Sequence, residues 1–97
     1  MATYVTLYKY TEQGIGNIKD APKRVEVAKK AAAEAGVIVR ETLWLQGEYD
    51  FLTISEASDE IVAATFQLNI ARQGNVRSHT LRAFTSADME KILAKVT

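Results

Sequence analysis

With 97 residues the chain is the size of one domain, spanning residues 1–97, and at ~100 residues a fold hides only about two-thirds of its unfolded surface, so a partner subunit would add useful core. Twelve Lys and Arg balance twelve Asp and Glu, which leaves no net field to draw nucleic acid or an anionic membrane, and an apolar share of 47% argues for a folded globule over a disordered chain. No cysteine is present, which excludes disulfides, thiolate nucleophiles, iron–sulfur clusters and thiolate zinc sites. With one histidine, His79, a zinc or haem site would lean on carboxylates or on a second subunit, and no metal and no cofactor is expected.

The amino terminus opens on a strand pattern and not on a basic stretch followed by an apolar run, so no secretory signal is read. No apolar stretch approaches the ~20 residues that cross a bilayer, and a cytoplasmic protein is expected. From Tyr4 to Tyr10 the residues alternate, Val5 and Leu7 on one side and Tyr4, Thr6, Tyr8 and Tyr10 on the other, which is a β-strand signal. Thr11 to Asn17 reads as a loop or a single helical turn. Asp20 then caps a helix with Pro22 in its first turn, and Val25, Ala28, Ala32 and Ala35 form its stripe before Gly36 stops it.

Val37–Leu45 is the second expected strand, with Val37, Val39, Leu43 and Leu45 on one face and Ile38, Arg40, Thr42 and Trp44 on the other. Glu41 falls on the apolar side, which points to a bulge or an exposed stretch. A tight connection leads into a third strand, Tyr49–Glu56, so the two form an antiparallel hairpin. Ser58 stands at the start of a second helix whose stripe is Val62, Phe66 and Ile70, and Gly74-Asn75 ends it. A fourth, less regular strand covers Val76–Phe84. Thr85 with Asp88 opens a last amphipathic helix carrying Met89, Ile92, Leu93 and Val96.

This order, βαββαβ plus a short C-terminal helix, predicts an α+β, ferredoxin-like fold with a four-stranded antiparallel sheet and helices on one face. The Val5/Leu7, Val39/Leu43 and Leu52/Ile54 rows are expected to face the helices. The opposite rows are then rich in rings, among them Tyr4, Tyr8, Tyr10, Trp44, Tyr49 and Phe51. Aromatic patches of that extent mark interfaces or ligand grooves. The expectation is a homodimer, two sheets closing face to face into an α/β barrel, with a small ligand between them lined by Tyr8, Arg40, Trp44 and Tyr49.

Few residues carry the potential for chemistry. His79 is the one side chain that ordinarily titrates near neutrality, and Asp50 is a candidate proton acceptor. Histidine alone in a strand is more often structural, and Asp50 at a hairpin mouth more often binds backbone. Gly14-Ile15-Gly16 lacks the third glycine of a dinucleotide fingerprint and the Lys-Ser/Thr of a phosphate loop. The basic residues of the first helix are interrupted by Asp20, Glu26 and Glu34, as on a solvated face.

Three stretches taken together carry a family resemblance: Gly47-Glu48-Tyr49-Asp50, the run YTEQGIGNIKDAPKR from Tyr10 to Arg24, and GNVRSHTLRAF from Gly74 to Phe84. In this order they resemble the GYD-domain family, small bacterial and archaeal proteins, over nearly the whole chain. The resemblance implies the dimeric α/β-barrel group and brings no assigned reaction. It also implies that relatives often carry an acid where His79 stands, which argues against a general catalytic role there. Three functions stay open: a small-molecule binder, a cofactor-independent monooxygenase-like enzyme, and a purely structural or regulatory oligomer.

Overall fold

A computed structural model describes residues 1–97. The elements run β1 (Ala2–Tyr10), α1 (Glu12–Gly16), α2 (Ala21–Glu34), β2 (Val37–Trp44), β3 (Phe51–Ala57), α3 (Glu60–Ala71), β4 (Val76–Ala83) and α4 (Ser86–Leu93), with a 3-10 turn at Ile18–Asp20 leading into α2. The sheet order is β2-β3-β1-β4 and every neighbouring pair is antiparallel. This is the ferredoxin-like arrangement, with α2 and α3 on one face. No helix is long and apolar enough to cross a membrane.

Local chemistry sets the element ends. Gly36 takes a φ of +92° just past α2, a conformation that suits glycine, and stops the helix there. The cap of α3 is Asp59 and not Ser58: its carboxylate accepts from the Val62 amide at 2.9 Å. Thr85 and Asp88 form the reciprocal capping box expected at the start of α4. The irregularity signalled by Glu41 is a β-bulge between Val39 and Glu41, with Arg40 as the extra residue.

The faces of the sheet are the reverse of the expectation. Tyr4, Thr6, Tyr8, Phe51, Thr53 and Ser55 are buried, and the two core clusters pack Tyr4 with Ala32, Val37, Ala57, Ala63 and Phe66, and Tyr8 with Phe51 and Val76. The ring-rich wall is thus roofed by the protein's own helices. The reason lies in α2, whose buried positions are Ala21 and Ala32. Short helix side chains leave a gap that must be filled to close-packed density, and only large rings on the sheet reach across it. Tyr8 and Phe51 do so as a parallel stack, with centroids 4.4 Å apart and planes 7° from parallel.

Cross-strand pairing then places the aliphatic rows on the open face. One row runs Leu43, Leu52, Leu7, His79 and the next Glu41, Ile54, Val5, Leu81. On β2 the bulge divides the outcome: Val37 and Val39 point to the helices as expected, whereas Leu43 turns outward and Thr42 and Trp44 turn inward. Leu43 is 47% exposed and Leu81 42%. α4 has no buried residue at all. The body is thin and long, 51 × 31 × 18 Å, and its radius of gyration of 14.6 Å exceeds the ~12.5 Å of a compact chain this size.

Candidate functional site

The inner face of the sheet carries a row of four threonines, one from each strand. Thr42 pairs with Thr53, Thr53 with Thr6, and Thr6 with Thr80. Cross-strand partners share a face, so their hydroxyls form a polar band across the core. Buried hydroxyls are costly unless bonded, and α3 supplies the bond through Gln67. The Tyr8 hydroxyl donates to Gln67 Oε1 at 3.0 Å, Gln67 Nε2 donates to Thr6 Oγ1 at 3.3 Å, and the Thr6 and Thr80 hydroxyls lie 3.2 Å apart. Burial pushes the Tyr8 phenol up from its ordinary range, while hydrogen bonds to Thr53, Gln67 and Thr6 pull it partly back.

Beside this band, between the sheet and helices α2 and α3, lies a cavity of about 90 Å³. Its walls combine the rings of Tyr8, Tyr10, Phe51 and Phe66 with the hydroxyls of Thr42, Thr53 and Ser55. Arg24 and Lys29 of α2 are its charged residues, and no carboxylate lines it. On the outer surface a broader groove of about 620 Å³ separates α2 from α3. Arg24, Ala28, Phe66, Ile70 and Gln73 line both spaces, so the cavity and the groove adjoin at these side chains.

The three stretches that carry the family resemblance meet at one end of the sheet. Asp50 accepts from the Tyr10 amide at 2.7 Å, and its own amide donates to the Tyr8 carbonyl at 2.8 Å. Gly47 adopts a φ of +133° in the loop between β2 and β3, which the Leu45 amide closes onto the Asp50 carbonyl at 2.8 Å. From the other side, Thr11 donates through its amide to the Asn75 carbonyl and through its hydroxyl to the Gly74 carbonyl, and Gln13 reaches Gln73 and Asn75. Gly14 is required by this clasp: a Cβ there would lie 2.0 Å from the Asn75 carbonyl oxygen. Gly14 thus serves packing, whereas a Cβ at Gly16 would meet open space.

The structure separates the residues singled out in the sequence. Tyr8, 4% exposed, lies under α3 and lines the cavity. Trp44 sits at the edge of the same face, its indole donating to the Tyr10 hydroxyl at 3.0 Å. Arg40 and Tyr49 belong to the opposite side. Arg40 pairs with Glu56, and the Tyr49 ring lies under the Lys9 ammonium, 5.2 Å from it, with its hydroxyl 3.4 Å from His79 Nδ1. His79 is exposed at the end of an aliphatic row. His79, Trp44 and Asp50 therefore do not converge on one substrate position. Gln67 and Arg24 escaped sequence reading, although Gln67 shares the helical spacing of Ala63, Phe66 and Ile70, and a polar residue in such a stripe is a signal for a buried network.

Known proteins share this architecture. The chain is 32% identical over 90 residues to the glutamine synthetase and cystathionine beta-lyase binding protein of Thermus thermophilus, an overlap of 92% of this chain and 95% of that one. The crystal structure of TTHA0845 from the same organism superposes with a TM-score of 0.50 at 26% identity, covering 89% of this chain and 96% of the other. Residues 4–93 match the sequence profile of the GYD domain. The clasp, the bulged hairpin and the threonine-banded sheet are thus built in a member of the GYD-domain family.

Proposed function

We propose that this protein is a self-pairing, protein-binding subunit, with the open face of its sheet as the surface that joins two copies. The observation that carries this reading is the aliphatic block of Val5, Leu7, Leu43, Leu52, Ile54 and Leu81 on a face that no helix covers. An antiparallel sheet turned to water normally alternates apolar-in with polar-out. Here the outward rows are the aliphatic ones, and Lys9, Arg77, Glu41 and Glu56 flank them. Apolar centre with charged surroundings is the anatomy of a subunit contact. Two sheets packed through these rows give the α/β barrel. Its interior would be mainly aliphatic, with Glu41 and His79 at the row ends, and Tyr8 and Phe51 would stay on the far side of each sheet. The relative's name, a binding protein for glutamine synthetase and cystathionine beta-lyase, supports protein partners for the assembled pair.

Light scattering tests the pairing. A mass of twice 10.7 kDa is expected, and Leu7→Glu, which buries an unpaired charge in the contact, should return the chain to monomer with its circular dichroism retained. A wild-type monomer at high micromolar concentration would sink the reading. A small-molecule role is favoured on the other face, by the cavity under α2 and α3. The enzyme reading would need His79 and Trp44 on one face, and they stand on two.

A further inference from the structure

We infer that the cavity between the sheet and helices α2 and α3 is a site for a small monocarboxylate of about three to five carbons. This deepens the small-molecule role of that cavity and rests on it. Four features lead to the ligand class.

The first is size. A volume of about 90 Å³ is on the order of three waters' share of liquid, and lies below the ~150 Å³ that accommodates a benzene. Flat aromatic substrates are therefore too large. The second is the mixed lining. One side offers Val25, Ala28, Val39 and Ile70 to an alkyl body, and the other offers Thr53 and Ser55, which are 8% and 4% exposed. Hydroxyls at these inward strand positions stand where a sheet under helices ordinarily carries valine or isoleucine, and Thr53 also bonds the Tyr8 phenol. An apolar wall with a few such polar groups is the usual make-up of a ligand site.

The third is charge. Arg24 and Lys29 line the cavity with no acidic side chain there, and the adjoining groove adds Lys23 and one carboxylate, Asp20. Arg24 is half-buried and spends one N–H on the Asn17 carbonyl at 2.7 Å. A guanidinium carries five donors in a planar fork that matches a carboxylate, so four remain. The fourth is access. Arg24, Ala28, Phe66, Ile70 and Gln73 are shared with the outer groove, so a ligand enters between α2 and α3 with its anionic end trailing toward Arg24. The sheet's open face is not needed for this, and the site is complete in one copy.

Calorimetry and amide chemical shifts with n-butyrate, butyramide and n-butylamine as probes test the assignment. Butyrate should bind, shift the Ala28, Thr53 and Ser55 amides, and exceed the neutral amide and the amine by about tenfold or more, the scale of a charge-assisted contact. Arg24→Gln should remove that margin while leaving butyramide binding as it was. Ala28→Leu, which fills the cavity, should abolish binding of every probe while raising thermal stability, so a loss there cannot be mistaken for unfolding. If butyramide binds as well as butyrate, the carboxylate assignment falls and the cavity remains a ligand site. If no probe binds or shifts those amides at tens of millimolar, the cavity is only hydrated and both readings fall. Oligomeric state, read separately, bears on neither outcome.

Discussion

The two faces of the sheet divide the chemistry of the chain in an unusual way. The face covered by α2 and α3 holds rings and hydroxyls: Tyr4, Tyr8, Phe51, Thr6, Thr53 and Ser55. The face left open holds Val5, Leu7, Leu52 and Ile54. If burial within one copy alone decided side-chain placement, the aliphatic rows would lie beneath the helices, since they lose no hydrogen bond there. The covered face is instead shaped by the width of the gap that an alanine-lined helix leaves, and by the network that satisfies Tyr8 and Thr6. The open face keeps its aliphatic rows without any helix of this chain packed on them, and on the pairing proposed above a second copy would cover them. Which side of a strand is hydrophobic and which side is inside one chain are thus separate questions in this sheet.

Truncating the lid should separate the faces most sharply. Phe66→Ala empties the inner core and is expected to cost ~3–5 kcal/mol, close to the whole stability of a marginal domain. Leu81→Ser, at a 42% exposed site, should change monomer stability by less than ~0.5 kcal/mol and act only on the concentration dependence of the melting temperature. Equal losses in denaturant titrations of the two variants would erase the distinction between the faces. Asp50→Ala removes the carboxylate from the Tyr10 amide and should cost ~1.5–3 kcal/mol, the range for a bond to a charged group, with exchange of the Tyr10 amide accelerated. An unchanged exchange rate would show that the clasp does not hold the hairpin.

The two tyrosines of the inner row give a smaller contrast. Tyr8→Phe strands Gln67 and should cost ~1 kcal/mol, whereas the Tyr4 hydroxyl is buried without a partner, so Tyr4→Phe should be neutral or stabilising. Because the folded-state pKa of Tyr8 is raised, its contribution is intact below the ordinary tyrosine pKa of ~10 and is lost as pH climbs through the raised value. Absorbance titration should show a late tyrosine step, and Tyr8→Phe should remove it. The smallest effect belongs to α4. The Thr85 amide and then the Thr85 hydroxyl lower the Asp88 pKa. The cap is thus intact above the usual carboxylate range and fades as pH falls through the lowered value. The Thr85 amide resonance reports it, and a titration at the ordinary aspartate position would count against the cap.

Much of the architecture was legible because each element carries its own signal. The period-two rows grouped the right residues on β1 and within β3 but not across the bulge of β2, Gly36 and the Thr85–Asp88 box marked helix ends, and Glu41 signalled the bulge. The sign of the faces was not legible. Alternation says which residues share a side, but the choice of side depends on the facing helix, and α2 presents a stripe too small to announce that it wants rings opposite it. The placement of the expected ligand set was hidden for the same reason: alternation puts Tyr8, Trp44, Arg40 and Tyr49 on one wall, and the inverted register together with the bulge splits them between two. Asp50 was easier, because a carboxylate at a hairpin mouth has a near neighbour to bind. Arg24 had no signal, since a basic residue on a charged helix looks solvated until the groove beside it is seen.

The bulge at Arg40 has a further consequence for how this strand can change. Before it, odd-numbered residues face the helices; after it, even-numbered ones do. The two halves of β2 are therefore separate reading frames joined at one spare residue. A deletion at Arg40 would merge the frames while preserving both sets of partners on β3, and would forfeit little beyond the pairing with Glu56. A deletion at Thr42, inside the second frame, would instead force neighbouring residues onto the wrong face. Length variation in this hairpin is expected to be tolerated at that single position and refused elsewhere along the strand.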